Sequence, residues 1–380
     1  MSPAVSLLQD LVRLPSINPM GRSWVDDRHL YEFRVTDYLE QFFRDAGLPC
    51  ERQLVLPNRE NIIARYDAGS ATTILLEVHQ DTVPVEAMKI DPFGGEIRDG
   101  KLYGRGACDV KGSMAVMLAV MRRLQRERPS GAANVVLACA VDEEHTFTGI
   151  QYLSRILKAD MAIVAEPTML KIVDAHKGVV RWKLRTAGRA CHSSAPHQGI
   201  NAIYRMGMIV QAIEEFNTWL GTRPAQPRLG GPTISVGRIE GGVSVNTVPD
   251  DCVIEIDRRL LPGEDPLKAP GELEAFLKQH PAVNFPFTLE PIWLACPALN
   301  PDGSDALVAM LGRAIDGVIG SHEVIAVPFG TDASTLAEAG IPSVVFGPGD
   351  IAQAHTNDEW ISLEQLALAE EILYRVVTEQ

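Results

Sequence analysis

Residues 74–84 have the sequence ILLEVHQDTVP, in which a mostly apolar run is followed directly by a histidine and an aspartate. The run at 74–78 predicts a buried β-strand, and similar runs lie at 134–141 and 161–165. A helical pattern at 112–127 separates the first strand from the second. Apolar strands that alternate with helices are typical of a mainly parallel sheet sandwiched by helices, so the sequence predicts an α/β fold.

The pattern changes between 178 and 291, where the predicted strands alternate polar and apolar residues. Residues 180–186, VRWKLRT, show this period of two, which is typical of a sheet with one face in water. The predicted order of elements in this stretch is βαββαβ, which indicates a small α+β, ferredoxin-like domain. We therefore expect an inserted domain at 178–291, with residues 1–177 and 292–380 forming the main domain.

Length and composition exclude several classes of protein. The 380 residues are enough for two domains, and 46% of them are hydrophobic. The net charge of -14, without a run of Lys or Arg, argues against a nucleic-acid partner. No apolar run reaches the length of a membrane span, the first residues lack the basic start of a signal peptide, and the six cysteines form no CxxC pair. We therefore expect a cytoplasmic protein with reduced thiols.

Two segments place polar side chains next to predicted elements of the main domain. Since side chains two apart in an extended chain point the same way, His79 could bind a metal with Asp81 beside it; otherwise both are structural. Asp109 lies in GRGACDVKG, directly before the helix at 112–127, where it is either a metal ligand or the helix N-cap. The spacing of a phosphate-binding loop is absent from this segment.

More acids and a second histidine follow other predicted strands. Glu143 and Glu144 lie in a run of three acids at the end of the second strand, where they are either solvated or bound to cations. Glu166 follows the third strand, and His355 lies between the last strand and the last helix. Together the segments provide two histidines and at least three carboxylates at carboxyl ends of strands, which is the ligand set of a pair of divalent cations.

In order and in residue type, these segments resemble the M20 metallopeptidase family. The motifs that carry the resemblance are HxDTVP, GRGxxDxKG, DEE, EPT and AHTxDE, and the match runs nearly from end to end, with the inserted domain included. The family includes acetylornithine deacetylase, succinyl-diaminopimelate desuccinylase, aminoacylase-1 and glutamate carboxypeptidases. The resemblance implies a two-metal, exopeptidase-like catalytic domain at 1–177 and 292–380, and a lid and dimerisation domain at 178–291.

The resemblance also implies a role for each polar residue of the main domain. The implied metal ligands are His79, Asp109, Glu144, Glu166 and His355. They hold two divalent ions, with Asp109 bridging them, and this mixture of imidazole and carboxylate suits zinc, with cobalt or manganese as alternatives. Glu143 is the implied general acid and base, and Asp81 supports His79.

Three residues of the inserted segment are similar to family residues that contact the substrate. His192, in GRACHSSAP, corresponds to a histidine that reaches the active site of a partner subunit and polarises the scissile carbonyl, which implies a homodimer. Asn246 and Arg259 correspond to contacts with a substrate carboxylate. Arg258 competes with Arg259 for this role, and strand alternation would direct only one of the two to the ligand.

The function that these features imply is metal-dependent hydrolysis of the amide bond in a small N-acyl amino acid with a free carboxylate, as in acetylornithine deacetylase. A carboxypeptidase or dipeptidase of the same family, acting on a dipeptide, is the alternative among enzymes. Outside enzymes, the alternative is a binding homologue that has lost catalysis, although Glu143 and every implied ligand are present. The inserted segment argues against a single-domain two-metal aminopeptidase.

Overall fold

The computed structural model describes residues 2–24 and 26–379, and their contacts divide into two compact units. The first unit extends to Ala175 and also includes Asn300–Ala326 and the chain from Thr331 onward. The second unit comprises His176–Leu299 and Val327–Gly330. The insertion predicted at 178–291 lies inside the second unit, whose bounds extend farther at both ends.

Helices and strands alternate through most of the described chain. The strands are β1 (Cys50–Leu56), β2 (Arg59–Tyr66), β3 (Thr73–His79), β4 (Glu96–Arg98), β5 (Lys101–Tyr103), β6 (Asn134–Ala140), β7 (Met161–Val164), β8 (Ile172–His176), β9 (Gly178–Ala187), β10 (Cys191–His192), β11 (Thr233–Gly241), β12 (Thr247–Val248), β13 (Asp251–Leu260), β14 (Phe287–Leu289), β15 (Leu294–Cys296), β16 (Val324–Val327), β17 (Ser343–Val345) and β18 (Trp360–Ser362). The α-helices are α1 (Pro3–Val12), α2 (Phe33–Asp45), α3 (Lys111–Glu127), α4 (Thr148–Leu153), α5 (Ala202–Leu220), α6 (Ala269–Gln279), α7 (Asp305–Ile319), α8 (Ala333–Glu338) and α9 (Leu363–Thr378). Short 3-10 helices lie at Pro196–Gln198, Pro266–Lys268 and Ile351–Gln353.

The first unit is built on an eight-stranded sheet with the order β1-β2-β6-β3-β7-β17-β8-β16. Its centre is parallel, because β3 pairs in parallel with β6 and β7, and β17 pairs in parallel with β7. Toward the edges, β2 pairs antiparallel with β1 and β6, and β17 pairs antiparallel with β8. Both β3 and β6 are buried along almost their whole length, as their apolar sequences require. The predicted α/β fold with a mainly parallel central sheet is confirmed.

Helix α3 anchors the loop that carries Asp109. The helix begins two residues after Asp109, is buried on most of its surface, and packs against α1 and α9. Lys111, the first residue of the helix, donates through Nζ to two backbone carbonyls. One is that of Leu11 in the last turn of α1, at 3.1 Å, and the other is that of Leu14 just beyond the end of α1, at 2.7 Å. Because α3 belongs to the core, the segment that precedes it has a defined position in the first unit.

The second unit contains an antiparallel sheet with the order β11-β13-β9-β14, and β15 also pairs with β9. Helices α5 and α6 contribute to a core that includes Trp182, Phe216, Ile254 and Leu273. Strand β9 alternates between buried and half-buried residues from Val180 to Thr186, which confirms the period of two predicted there. The succession βαββαβ and the strand order are those of a ferredoxin-like domain.

Within residues 2–24 and 26–379, no helix combines the length and the apolar character that crossing a bilayer demands.

Candidate metal centre and active site

Three parallel strands at the centre of the first unit deliver polar residues to one edge of the sheet. The strands β6, β3 and β7 are neighbours in that order. His79 is the last residue of β3, Glu143 and Glu144 follow β6, and Glu166 follows β7. Because the carboxyl ends of neighbouring parallel strands meet at the same edge, these residues converge although they are far apart in sequence.

Asp109 and His355 reach the same place from loops. The Asp109 carboxylate lies between two imidazoles: His79 Nε2 is 3.2 Å from Oδ1, and His355 Nε2 is 3.2 Å from Oδ2. His355 Nε2 is also 3.2 Å from Glu144 Oε2. The two oxygens of Asp109 therefore face different histidines, as a carboxylate that bridges two cations would.

The chemistry of this cluster fits divalent cations. His79 forms one group with Asp109 and Glu144 and a second group with Glu143 and Glu166, and within each group one ligand atom per residue lies within 4.8 Å of the others. Imidazole nitrogens and carboxylate oxygens are ligands of zinc and related ions. Glu144 Oε1 is buried without a hydrogen-bond partner among the described residues, and coordination to a cation would satisfy it instead.

Burial and crowding change the acid–base properties of the cluster. Burial raises the pKa of Glu143 and of Glu166 well above the ordinary value for glutamate, and neighbouring carboxylates add to the increase. Hydrogen bonds to Asp109 and Glu144 raise the pKa of His355 to about 11. The cluster therefore attracts positive charge, either protons or metal cations, because its carboxylates repel one another in a buried place.

Asp81 holds the turn that carries Glu143 and Glu144. Its Oδ1 accepts the backbone N–H of Glu143 and its Oδ2 that of Glu144, both at 3.1 Å. His79 Nδ1 lies 3.0 Å from the backbone oxygen of Asp81 and 3.7 Å from its Oδ1, so main chain and side chain both orient the ring. Burial acts to raise the pKa of Asp81, but hydrogen bonding to His79 and the charge of Arg59 outweigh it and lower the pKa to about 2.

The polar residues behind this turn were not predicted from the sequence. Asn18 Nδ2 donates to Asp81 Oδ2 at 2.8 Å and to Asp142 Oδ1 at 2.9 Å. Arg59 Nη1 donates to Asp142 Oδ1 at 2.6 Å, and Arg59 Nε donates to both oxygens of Glu32. These contacts hold Asp142 at a φ of 67°, a left-handed conformation that few residues other than glycine adopt. No sequence pattern marks Asn18, because its partners are 63 and 124 positions away.

His192 and Asn246, which are predicted to contact substrate, lie side by side on the second unit. Strands β10 and β12 pair there, and the N–H of Ser193 donates to the backbone oxygen of Asn246 at 2.9 Å. Both residues are exposed. The N–H of Ser194 donates to His192 Nδ1 at 3.2 Å, so Nδ1 acts as an acceptor from the main chain.

Arg258 and Arg259 lie on opposite faces of the sheet in the second unit. The Arg258 side chain is 1% exposed, and its Nη2 donates to Glu264 Oε1 at 2.9 Å. The Arg259 side chain is 27% exposed, and its Nε donates to Asp257 Oδ1 at 2.6 Å. Both guanidinium groups are paired with a carboxylate, but only that of Arg259 is accessible to an incoming ligand, so the structure favours Arg259 of the two. Its contact with a substrate stays a prediction.

Comparison with known proteins identifies the family. Residues 75–379 match the model described as peptidase family M20/M25/M40. The acetylornithine deacetylase of Myxococcus xanthus is 32% identical over 357 residues, which cover 90% of this chain and 91% of that protein. The acetylornithine deacetylase of Edwardsiella ictaluri is 31% identical, over 98% of this chain and 96% of that protein. An M20 family metallo-carboxypeptidase from Sulfolobus solfataricus has a similar structure, with a TM-score of 0.79 and 20% identity over 100% of this chain and 99% of that one.

The fold, the cluster of histidines and carboxylates, and these matches define a metallo-amidohydrolase. The resemblance inferred from the motifs is thereby confirmed. The chain belongs to peptidase family M20/M25/M40.

Proposed function

We propose that the protein removes the acyl group from a small N-acyl amino acid that carries a free carboxylate. The observation that carries the proposal is the cluster of His79, Asp109, Glu144 and His355 at the edge of the parallel sheet, with Glu143 beside it. Two relatives named acetylornithine deacetylase, each more than 30% identical to this chain, support deacylation.

The proposed metal site uses the residues that converge on the first unit. We assign two divalent ions, zinc or alternatively cobalt or manganese, to the ligands His79, Asp109, Glu144, Glu166 and His355. Bound divalent ions polarise a carbonyl oxygen and make a water molecule more acidic. The buried Glu144 oxygen without a hydrogen-bond partner and the crowding of carboxylates support this assignment.

Glu143 is the proposed general base and general acid. It takes a proton from the water whose oxygen attacks the amide carbon, and it returns the proton to the amide nitrogen as the carbon–nitrogen bond breaks. The products are a carboxylic acid and an amine, and transfer of the acid's proton to the amine leaves a carboxylate and an ammonium ion. The side chain is buried next to His79 and Glu166, and Asp81 holds its backbone through the 3.1 Å hydrogen bond.

His192 is the proposed donor to the carbonyl oxygen, acting in the active site of a partner subunit. Its exposed position and the backbone hydrogen bond to Nδ1, which leaves Nε2 as the ring nitrogen that would donate, support this role. Exposed apolar side chains on the same unit support a homodimer: Val243 is 91% exposed and Tyr204 is 72% exposed. Both line a cleft of about 810 Å³. Apolar surfaces of this kind commonly mark protein interfaces.

Replacement of His192 tests this role. The change His192→Ala is expected to lower kcat about 10²- to 10³-fold, the usual effect of removing one donor to an oxyanion, while metal content stays constant. The measurement is steady-state hydrolysis of an N-acetyl amino acid together with elemental metal analysis. His197→Ala, five residues along the chain and also exposed, is the matched control. Unaltered kinetics in His192→Ala would refute the donor role.

Mixing subunits of two variants tests whether the protein is a homodimer and whether His192 of one subunit acts in the active site of the other. Neither Glu143→Gln nor His192→Ala is expected to be active alone. A mixed dimer would have one complete site, so full exchange of equal amounts is expected to restore about a quarter of wild-type activity. A wild-type protein that remains monomeric in light scattering, or an exchanged mixture without activity, would contradict the proposal.

Arg259 is the proposed partner of the substrate carboxylate, with Asn246 as a second contact. Arg259→Gln is expected to raise KM about 10- to 100-fold with little change in kcat, since a hydrogen bond to a charged group contributes about 1.5–3 kcal/mol. The check is to measure KM for an N-acetyl amino acid and for the same compound with its carboxylate converted to an amide. The substitution should affect only the first compound, and an equal KM for wild type and variant on that compound would exclude the contact.

A panel of N-acetyl amino acids, N-succinyl amino acids and dipeptides separates the proposed deacylase from the carboxypeptidase and dipeptidase alternatives. Turnover of dipeptides alone would overturn the deacylase proposal. We also propose a cytoplasmic location, which is supported by the six cysteines, none of which forms a disulfide within residues 2–24 and 26–379.

A further inference from the structure

Glu359 is a fully buried carboxylate to which the proposed chemistry assigns no role. It lies four residues after His355 and its side chain is 0% exposed. One oxygen, Oε1, accepts the backbone N–H groups of Cys108, at 2.8 Å, and of Asp109, at 3.0 Å. The side chain therefore holds the backbone of the loop that presents the Asp109 carboxylate.

The second oxygen of Glu359 binds the earlier part of the same loop. Oε2 accepts the backbone N–H of Gly106 at 3.1 Å and Nη1 of Arg105 at 2.7 Å. The backbone adds a further link, because the N–H of Gly104 donates to the carbonyl oxygen of Glu359 at 3.0 Å. Five donors from residues 104–109 thus converge on one residue.

This arrangement requires a carboxylate and not a neutral amide. All four groups that face the side chain are donors, so each oxygen of Glu359 is matched by two N–H groups. In Glu359→Gln, the NH₂ group would face two of these donors and leave them buried without an acceptor. Because glutamine has the same shape as glutamate, the substitution would change the position of the loop and not the packing of the side chain.

We infer that Glu359 is a positioning residue that couples the Asp109 loop to the His355 segment and thereby sets the distance between these two metal ligands. The inference rests on the proposed metal site, in which Asp109 lies between the two histidines. Asp109 Oδ2 and His355 Nε2 are 3.2 Å apart, and Glu359 is connected to both segments, by hydrogen bonds to one and by four residues of chain to the other. Partners of this kind commonly change metal affinity when they are replaced.

Cobalt binding to the metal-free protein tests the inference. Glu359→Gln is expected to weaken cobalt(II) binding about 10- to 100-fold and to shift the visible absorption bands of the bound ion, since the ligands change their relative positions. At saturating metal, kcat should fall while KM stays within about twofold. Glu364→Gln, an exposed glutamate five residues along the chain, is the matched control and should behave like the wild type.

Thermal unfolding of the metal-free variants separates positioning from a purely structural role. If Glu359→Gln unfolds at a lower temperature but binds cobalt with wild-type affinity and spectrum, the positioning role is wrong. If Glu359→Gln does not fold, Arg105→Lys serves instead, because it keeps the charge but changes the geometry of one donor. It should weaken cobalt binding several-fold, and wild-type affinity in that variant would equally overturn the inference.

Asp109→Asn distinguishes failure of this inference from failure of the proposed function. If Asp109→Asn binds cobalt as the wild type does, the proposed metal site itself is wrong. If Asp109→Asn loses cobalt while Glu359→Gln retains wild-type binding, only the coupling through Glu359 is wrong.

Discussion

Glu143→Gln is expected to lower kcat about 10²- to 10⁴-fold while the protein keeps its fold and its metal content. Glutamine has the shape of glutamate but cannot take a proton from water, and the position is buried enough that bulk water is a poor substitute for the base. The side chain is 9% exposed and lies beside His79 and Glu166. Metal binding should persist because the other acid of the turn, Glu144, contacts His355.

The measurement combines steady-state hydrolysis of an N-acetyl amino acid with elemental analysis of the purified protein. Glu144→Gln is the informative neighbour: it should lose metal as well as activity, because its carboxylate is a proposed ligand. Near-normal turnover in Glu143→Gln would remove the assignment of the base. Loss of metal in Glu143→Gln would instead make Glu143 a ligand, in keeping with the group that it forms with His79 and Glu166.

Asp109→Asn is expected to lower metal content from two ions to one or none. It should also lower kcat/KM by more than about 100-fold, because loss of a direct ligand should exceed the effect of replacing a residue that only contacts a ligand, which reaches about 100-fold. The wild-type carboxylate places one oxygen 3.2 Å from His79 Nε2 and the other 3.2 Å from His355 Nε2. An amide has a single acceptor oxygen and no charge, so it cannot serve both ions equally.

Removal and return of metal provide the readout for this second prediction. Wild-type protein treated with a chelator should lose activity and regain it with zinc, cobalt or manganese, whereas Asp109→Asn should regain little with any of them. Asp358→Asn, at an exposed position, is the control for the loss of one negative charge. A variant that retains two ions and normal activity would show that Asp109 does not bridge them.

The central strands and the active-site motifs could be predicted because both depend on local sequence. Strand β3 is mostly apolar and is buried along almost its whole length, and His79 is its last residue. The alternation of β9 was predicted for the same reason, because side chains on a sheet with one covered face repeat every two residues. Carboxyl ends of parallel strands share an edge, so the convergence of His79, Glu144 and Glu166 followed from the order of elements.

The residues that hold the site in place could not be predicted in this way. Asn18 bonds Asp81 across 63 positions, and Glu359 bonds Asp109 across 250. Asn18 is a single polar residue in a segment without periodicity. Glu359 ends the AHTxDE motif, but the motif does not reveal that its partners are backbone N–H groups of the Asp109 loop. The prediction likewise omitted the edge strand β1, its neighbour β2, and the helices α1 and α2.

The sequence by itself determined the succession of strands and helices, the chemical types of the site residues and the membership of a family, because each is encoded within a few neighbouring residues. Tertiary structure alone decided which buried donors hold Asp81, Asp142 and Glu359, and which of Arg258 and Arg259 remains accessible. The reason is physical: a buried carboxylate is stable only where packing brings distant donors to it, and that meeting depends on the path of the whole chain.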